Sequence, residues 1–103
     1  MQWLQIKTSI GPYVFRGQDL KTIAPVSNTV LRFVFGNSNI QPEPADVWVE
    51  FTHTSGKGND IVDYFYKYVQ RNWKKTGNPV LMADKVNSIY FSNEISACKI
   101  TGA

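Results

Sequence analysis

Cysteine is almost missing from this chain. Cys98 stands alone, so neither an internal disulfide nor a cysteine-based zinc cluster can form. Histidine is just as scarce, with only His53. No apolar run approaches the roughly 20 residues that a membrane helix needs. The opening Met1-Gln2-Trp3-Leu4-Gln5 lacks the basic region and apolar run of a signal peptide. These absences predict a protein made in a cytoplasm, without a membrane partner. Charge is also thin: Asp, Glu, Lys and Arg make up 18% of the residues, below the roughly 25% usual in globular proteins. Much of the surface must then be Asn, Ser, Thr, Gln and aromatic, which suits a protein that ends up against other protein. The net charge of +3 is mild beside the concentrated charge of dedicated DNA binders.

What is present points to a folded core. The hydrophobic share is 43% and the aromatic share 14%, which excludes a disordered chain. A length of 103 residues fits one domain over residues 1–103, with no repeat and no low-complexity tract. The first half alternates with the period of strands. Leu4, Ile6 and Thr8 share one face of the first; Trp3, Gln5 and Lys7 share the other. Gly11-Pro12 reads as a turn and Tyr13-Val14-Phe15 as a short second strand. Leu20 to Val26 is a weaker strand whose Pro25 belongs at a sheet edge. Thr29 to Phe35 is apolar on both faces, which predicts a central strand covered on both sides. Val47 to Thr54 resumes the alternation, with Val49, Phe51 and His53 opposite Trp48, Glu50 and Thr52.

The helix carries the clearest signature. Asn59 suits an N-cap, Asp60 and Asp63 suit the first turns, and Arg71, Lys74 and Lys75 suit the last. Gly77 and Pro79 end it. Ile61, Val62, Phe65, Tyr68 and Val69 form one stripe with Trp73 at its rim, while Asp63, Lys67, Gln70, Arg71 and Lys74 face away. Beyond the helix, Val80 to Met82 reads as a strand, and Val86 to Phe91 with Ile95 to Thr101 as a hairpin through Ser92-Asn93-Glu94. The expected fold class is α+β: a mainly antiparallel β-sheet with one amphipathic α-helix packed on a face.

Few residues suggest chemistry. Thr54 to Asn59 joins a strand to a helix start, where anions bind, but it lacks phosphate-loop spacing and is read as a turn. His53 could be grouped with Ser55 or Cys98 and with Asp60 or Asp63. A partly buried, hydrogen-bonded histidine at a strand end is the plainer reading. Cys98, with Ser96 and Ile100 on its face, reads as buried and inert. No catalytic residue, cofactor site or metal site is assigned, and the expectation is a protein that is not an enzyme. Two surfaces are candidates for binding. Lys67, Arg71, Lys74 and Lys75, with Tyr64 beside them, form a basic helix face that phosphates could contact, or a solvated face and no more. Ile40, Pro42 and Pro44 lie on a stiff, partly apolar loop that could reach another subunit, or be a plain surface loop.

Three stretches taken together carry a resemblance. They are Leu4-Gln5-Ile6-Lys7-Thr8, Ser27-Asn28-Thr29-Val30, and the run from Phe51 to Val62 through Thr54-Ser55-Gly56-Lys57-Gly58. The chain resembles short proteins of tailed bacteriophages and related viral genomes. The resemblance implies a virion or assembly component, such as a capsid decoration protein or a small structural accessory, assembled in a host cytoplasm. It carries over no functional residue. The leading expectation is therefore a non-enzymatic structural protein that packs against copies of itself or against a capsid or virion shell. The alternative is a nucleic-acid-binding module using the basic helix face.

Overall fold

A computed structural model of the protein describes residues 3–36, 46–76 and 79–101, without the side chains of 72–76. Its elements are β1 (Trp3–Thr8), β2 (Gly11–Arg16), β3 (Leu20–Ser27), β4 (Val30–Phe35), β5 (Val47–His53), α1 (Gly58–Thr76), β6 (Val80–Asp84), β7 (Ile89–Tyr90) and β8 (Ile95–Thr101), with a 3₁₀ turn at Gly17–Asp19. The fold is α+β and mainly antiparallel, as the alternation predicts. The strands divide, however, into two sheets, in the orders β2-β1-β6-β7 and β3-β4-β5-β8. One pair, β1 with β6, is parallel.

The two inner faces build the core. Leu4, Ile6 and Phe15 from the first sheet and Leu31, Phe33, Phe35, Val47, Val49 and Phe51 from the second are all buried. Phe15 stacks on Phe35 with ring centroids 4.5 Å apart, which ties one sheet to the other. The helix lays its predicted stripe on this core: Ile61, Phe65 and Val69 are buried, and Lys67, Gln70 and Arg71 are exposed. Phe65 meets Phe33 edge-on at 4.9 Å and Phe91 at 5.5 Å. The Tyr68 hydroxyl donates to the Leu81 carbonyl at 2.7 Å, so α1 also reaches β6.

Several expectations need correction. The first turn is Ser9–Ile10, and Gly11 and Pro12 already belong to β2. Gly11 has a φ of 128°, a conformation that glycine adopts at little steric cost. The helix begins at Gly58, where the Ile61 N–H donates to the Lys57 carbonyl at 3.0 Å. Asn59 thus sits inside the first turn rather than capping it. Strand β4 is central, but only one of its faces is covered: Leu31, Phe33 and Phe35 are buried and Val30, Arg32 and Val34 half-buried. The expected hairpin of 86–91 with 95–101 does not form. β7 pairs back onto β6, and β8 pairs with β5. Turn chemistry explains this. The Asp84 carboxylate accepts from the Val86 and Asn87 N–H groups at 3.1 and 3.3 Å and from the Asn87 side-chain amide at 2.9 Å. Those bonds close a tight β6–β7 turn before the chain reaches Ser92. A bulge between Thr52 and His53 in the β5–β8 register then leaves Ser96 exposed, away from the buried face of Cys98.

Candidate interaction surface

The inner face of the β3-β4-β5-β8 sheet is filled; its outer face is left open among the described residues. Alternation dictates what stands there. One row across the sheet runs Thr22, Val34, Trp48, Thr101; the next runs Ala24, Arg32, Glu50, Lys99; the third runs Ser27, Val30, Thr52, Ala97. Trp48 keeps 39% of its surface exposed. The Arg32 guanidinium lies 3.9 Å over the Trp48 ring and pairs with the Glu50 carboxylate at 2.8 Å. That ion pair cancels the Arg32 and Glu50 charges within the middle row and holds the guanidinium over the indole. Among the described residues, Lys99 is then the one charge in the three rows without an ion-pair partner. The result is a nearly neutral face of Thr, Ser, Ala and Val around a held tryptophan. Aromatic and arginine side chains with few net charges are the composition of protein–protein contact surfaces. Sequence reasoning passed over this face, although the outward set Trp48, Glu50, Thr52 was visible in the β5 alternation.

The residues singled out from sequence do not converge on it. Ile40, Pro42 and Pro44 lie outside the described residues. Lys67 and Arg71 are exposed one turn apart on α1, and neither makes an ion pair with another described residue. Lys74 and Lys75 are in the last turns of the same helix, with side chains outside the described set. Tyr64 is 39% exposed beside them.

His53 is buried at the end of β5, with Nδ1–H donating to the Thr54 carbonyl at 2.7 Å and Nε2 without a partner. Neither Ser55 nor Cys98 nor the exposed Asp60 and Asp63 bonds to it. Burial pushes the Cys98 thiol up to about 11, with Lys85 opposing. In the loop before the helix, Gly56 N–H donates to the Asn28 carbonyl at 3.2 Å and Lys57 N–H to the Thr54 carbonyl at 3.2 Å. These donors are spent within the chain, which fits a turn. No three His, Cys, Asp or Glu side chains gather among the described residues, and no described helix is long and apolar enough to cross a membrane. Compared with known proteins, the chain matches no family model, no curated protein and no solved structure.

Proposed function

We propose that this chain is a non-enzymatic assembly protein whose outer β3-β4-β5-β8 face packs against a copy of itself or against a larger shell. One observation carries the reading. An open sheet face holds an exposed Trp48 clamped by Arg32, while Glu50 cancels the arginine charge. A rigid aromatic anchor loses little side-chain freedom on docking, and a neutral surround is cheap to dehydrate. The resemblance to small phage proteins makes a virion accessory role the setting that fits this surface.

Size-exclusion chromatography with light scattering on the wild type and on Trp48→Glu tests it. The wild type should form a dimer or larger species, or bind preformed particles, and Trp48→Glu should lose that association while keeping its circular dichroism. A wild type that stays monomeric at high concentration and binds no particle overturns the reading.

A further inference from the structure

We infer that the open edge of β3, beside the first turns of α1, receives a short extended segment of a partner polypeptide as an added strand. β3 ends its sheet, in the order β3-β4-β5-β8, and no described strand pairs with its other side. The ladder decides which backbone groups face that side. The His53 N–H donates to the Thr29 carbonyl at 2.7 Å, and the Gly36 N–H to the Asp19 carbonyl at 2.8 Å. Odd-numbered residues of β4 therefore bond to β5 and even-numbered ones to β3. Val34 and Arg32 stand opposite Thr22 and Ala24, so Thr22 and Ala24 use their backbone groups on β4. The N–H and C=O of Ile23 and the C=O of Pro25 point out of the sheet edge. A proline fits there, because the N–H it lacks would have faced outward and takes no bond from the ladder. Register shifts between Leu20 and Thr22 and between Pro25 and Ser27 bracket this stretch, so only a short segment can add to it.

The same edge has a recess for side chains. A cleft of about 510 Å³ lies between β3 and the start of α1, with Ile23, Pro25, Leu31 and Val62 as its apolar lining and Asn59 and Asp63 as its polar one. Ile23 and Pro25 stand opposite the buried Phe33 and Leu31, so their side chains turn to the inner side of the sheet. Ile23 and Val62 are half-buried and Pro25 is exposed, so all three keep surface to offer a guest. A strand added at Ile23 would send alternate side chains into this cleft. One of them meets Ile23, Pro25 and Val62 and should be aliphatic. Asp63 is exposed and makes no ion pair with a described residue, and no described lysine or arginine lines the cleft. A Lys or Arg two positions along the guest complements that charge. A helix or a compact molecule cannot meet both Ile23 groups at strand spacing while filling the cleft. An extended backbone can, with main-chain bonds supplying affinity and the cleft supplying specificity. The site lies at the sheet margin and does not depend on the outer-face reading.

Amide shifts and hydrogen exchange of ¹⁵N-labelled protein test this with the blocked peptide acetyl-Thr-Val-Thr-Lys-Thr-amide. Saturable shifts are expected at residues 22–24 and 58–63, with exchange of the Ile23 amide slowed about tenfold at saturation. The same peptide N-methylated at every residue keeps its side chains but loses its donors, and should bind about tenfold more weakly. Glutamate in place of its lysine, or Asp63→Asn in the protein, should each weaken binding about threefold. Asp63 is exposed, so Asp63→Asn should leave the spectrum folded. Equal binding of the N-methylated peptide, or no saturable shift at residues 22–24, overturns the inference. So does slowing of Ile23 exchange by protein concentration alone, which would assign the edge to a second copy of this chain.

Discussion

Phe65→Ala is the sharpest test of how this fold holds together. Phe65 is 3% exposed and sits where α1 meets the second sheet. Its ring contacts Phe33 at 4.9 Å and Phe91 at 5.5 Å, both edge-on. Removing a buried phenylalanine ring typically costs about 3–5 kcal/mol in lost burial and residual cavity. Each lost aromatic pair accounts for roughly 0.5–1.5 kcal/mol of such a cost. A domain of this size has a total stability of about 5–15 kcal/mol. At roughly 4–8 °C per kcal/mol, the melting temperature should fall by about 12–40 °C. Lys67→Ala, exposed two positions along, should change stability by less than about 0.5 kcal/mol. Because Phe91 touches the same ring, the Phe65→Ala/Phe91→Ala double variant should depart from additivity by about 0.5–3 kcal/mol. Thermal and urea melts decide it. If Phe65→Ala costs under about 1 kcal/mol while Lys67→Ala costs more, the helix face assigned to solvent is the buried one and the packing argument fails.

Two glycines near the helix start should respond in opposite senses. Gly56 has a φ of 78°, so Gly56→Ala should lose about 1–2 kcal/mol. A Cβ on Gly58 would meet Leu31 at 3.7 Å and the His53 ring at 3.8 Å, ordinary contact, so Gly58→Ala should gain about 0.4–1 kcal/mol in a urea melt. Cys98, with its thiol raised from 9.0 to about 11 by burial, contributes stability that is full below pH 9.0 and lost as pH rises through 11; Cys98→Ser should flatten that alkaline decline, and iodoacetamide should alkylate the wild-type thiol slowly at pH 8. Changing Lys67, Arg71, Lys74 and Lys75 together to Gln should leave the assembly state untouched, and nucleic-acid affinity of the wild type should show no steep salt slope. A slope of several log units lost in that variant would transfer the function to the basic helix face.

The parts legible in the sequence are those governed by short-range periodicity. The stripe from Ile61 to Val69 repeats every three to four residues, and each of its described members is turned inward. The alternation in β1 and β5 set Leu4 with Ile6 and Val49 with Phe51 on shared faces, and these four residues are buried. Pairing between distant segments was not legible. Gln5 stands beside Leu81 in a parallel ladder, and nothing local to either strand encodes that neighbour. The hairpin assigned to Ser92-Asn93-Glu94 failed because Asp84 and Asn87 form the stronger turn earlier. That signal was present in the run Asp84-Lys85-Val86-Asn87, where an Asp side chain can accept from the amides two and three residues on. Ser96 was misplaced because one bulge shifts every later residue to the other face. Glu94 read as a turn residue, and it does lie in the turn between β7 and β8.

Packing also separates the surfaces as partners. A nucleic acid lying along α1 would place phosphates beside Lys67 and Arg71 and would use Tyr64 as its stacking ring. Tyr64, however, lines a second cleft with Glu94, and Asp63 is exposed on the adjoining position. Two carboxylates at the stacking end repel the backbone that the lysines at the other end attract. The helix face is therefore divided in sign along its length, which favours a partner with discrete charges over a uniform polyanion. The outer sheet face has the opposite character: its central charges cancel within the chain, and its aromatic anchor is already held. Surfaces of that kind meet other protein by shape and dehydration, with the charged helix free to select orientation.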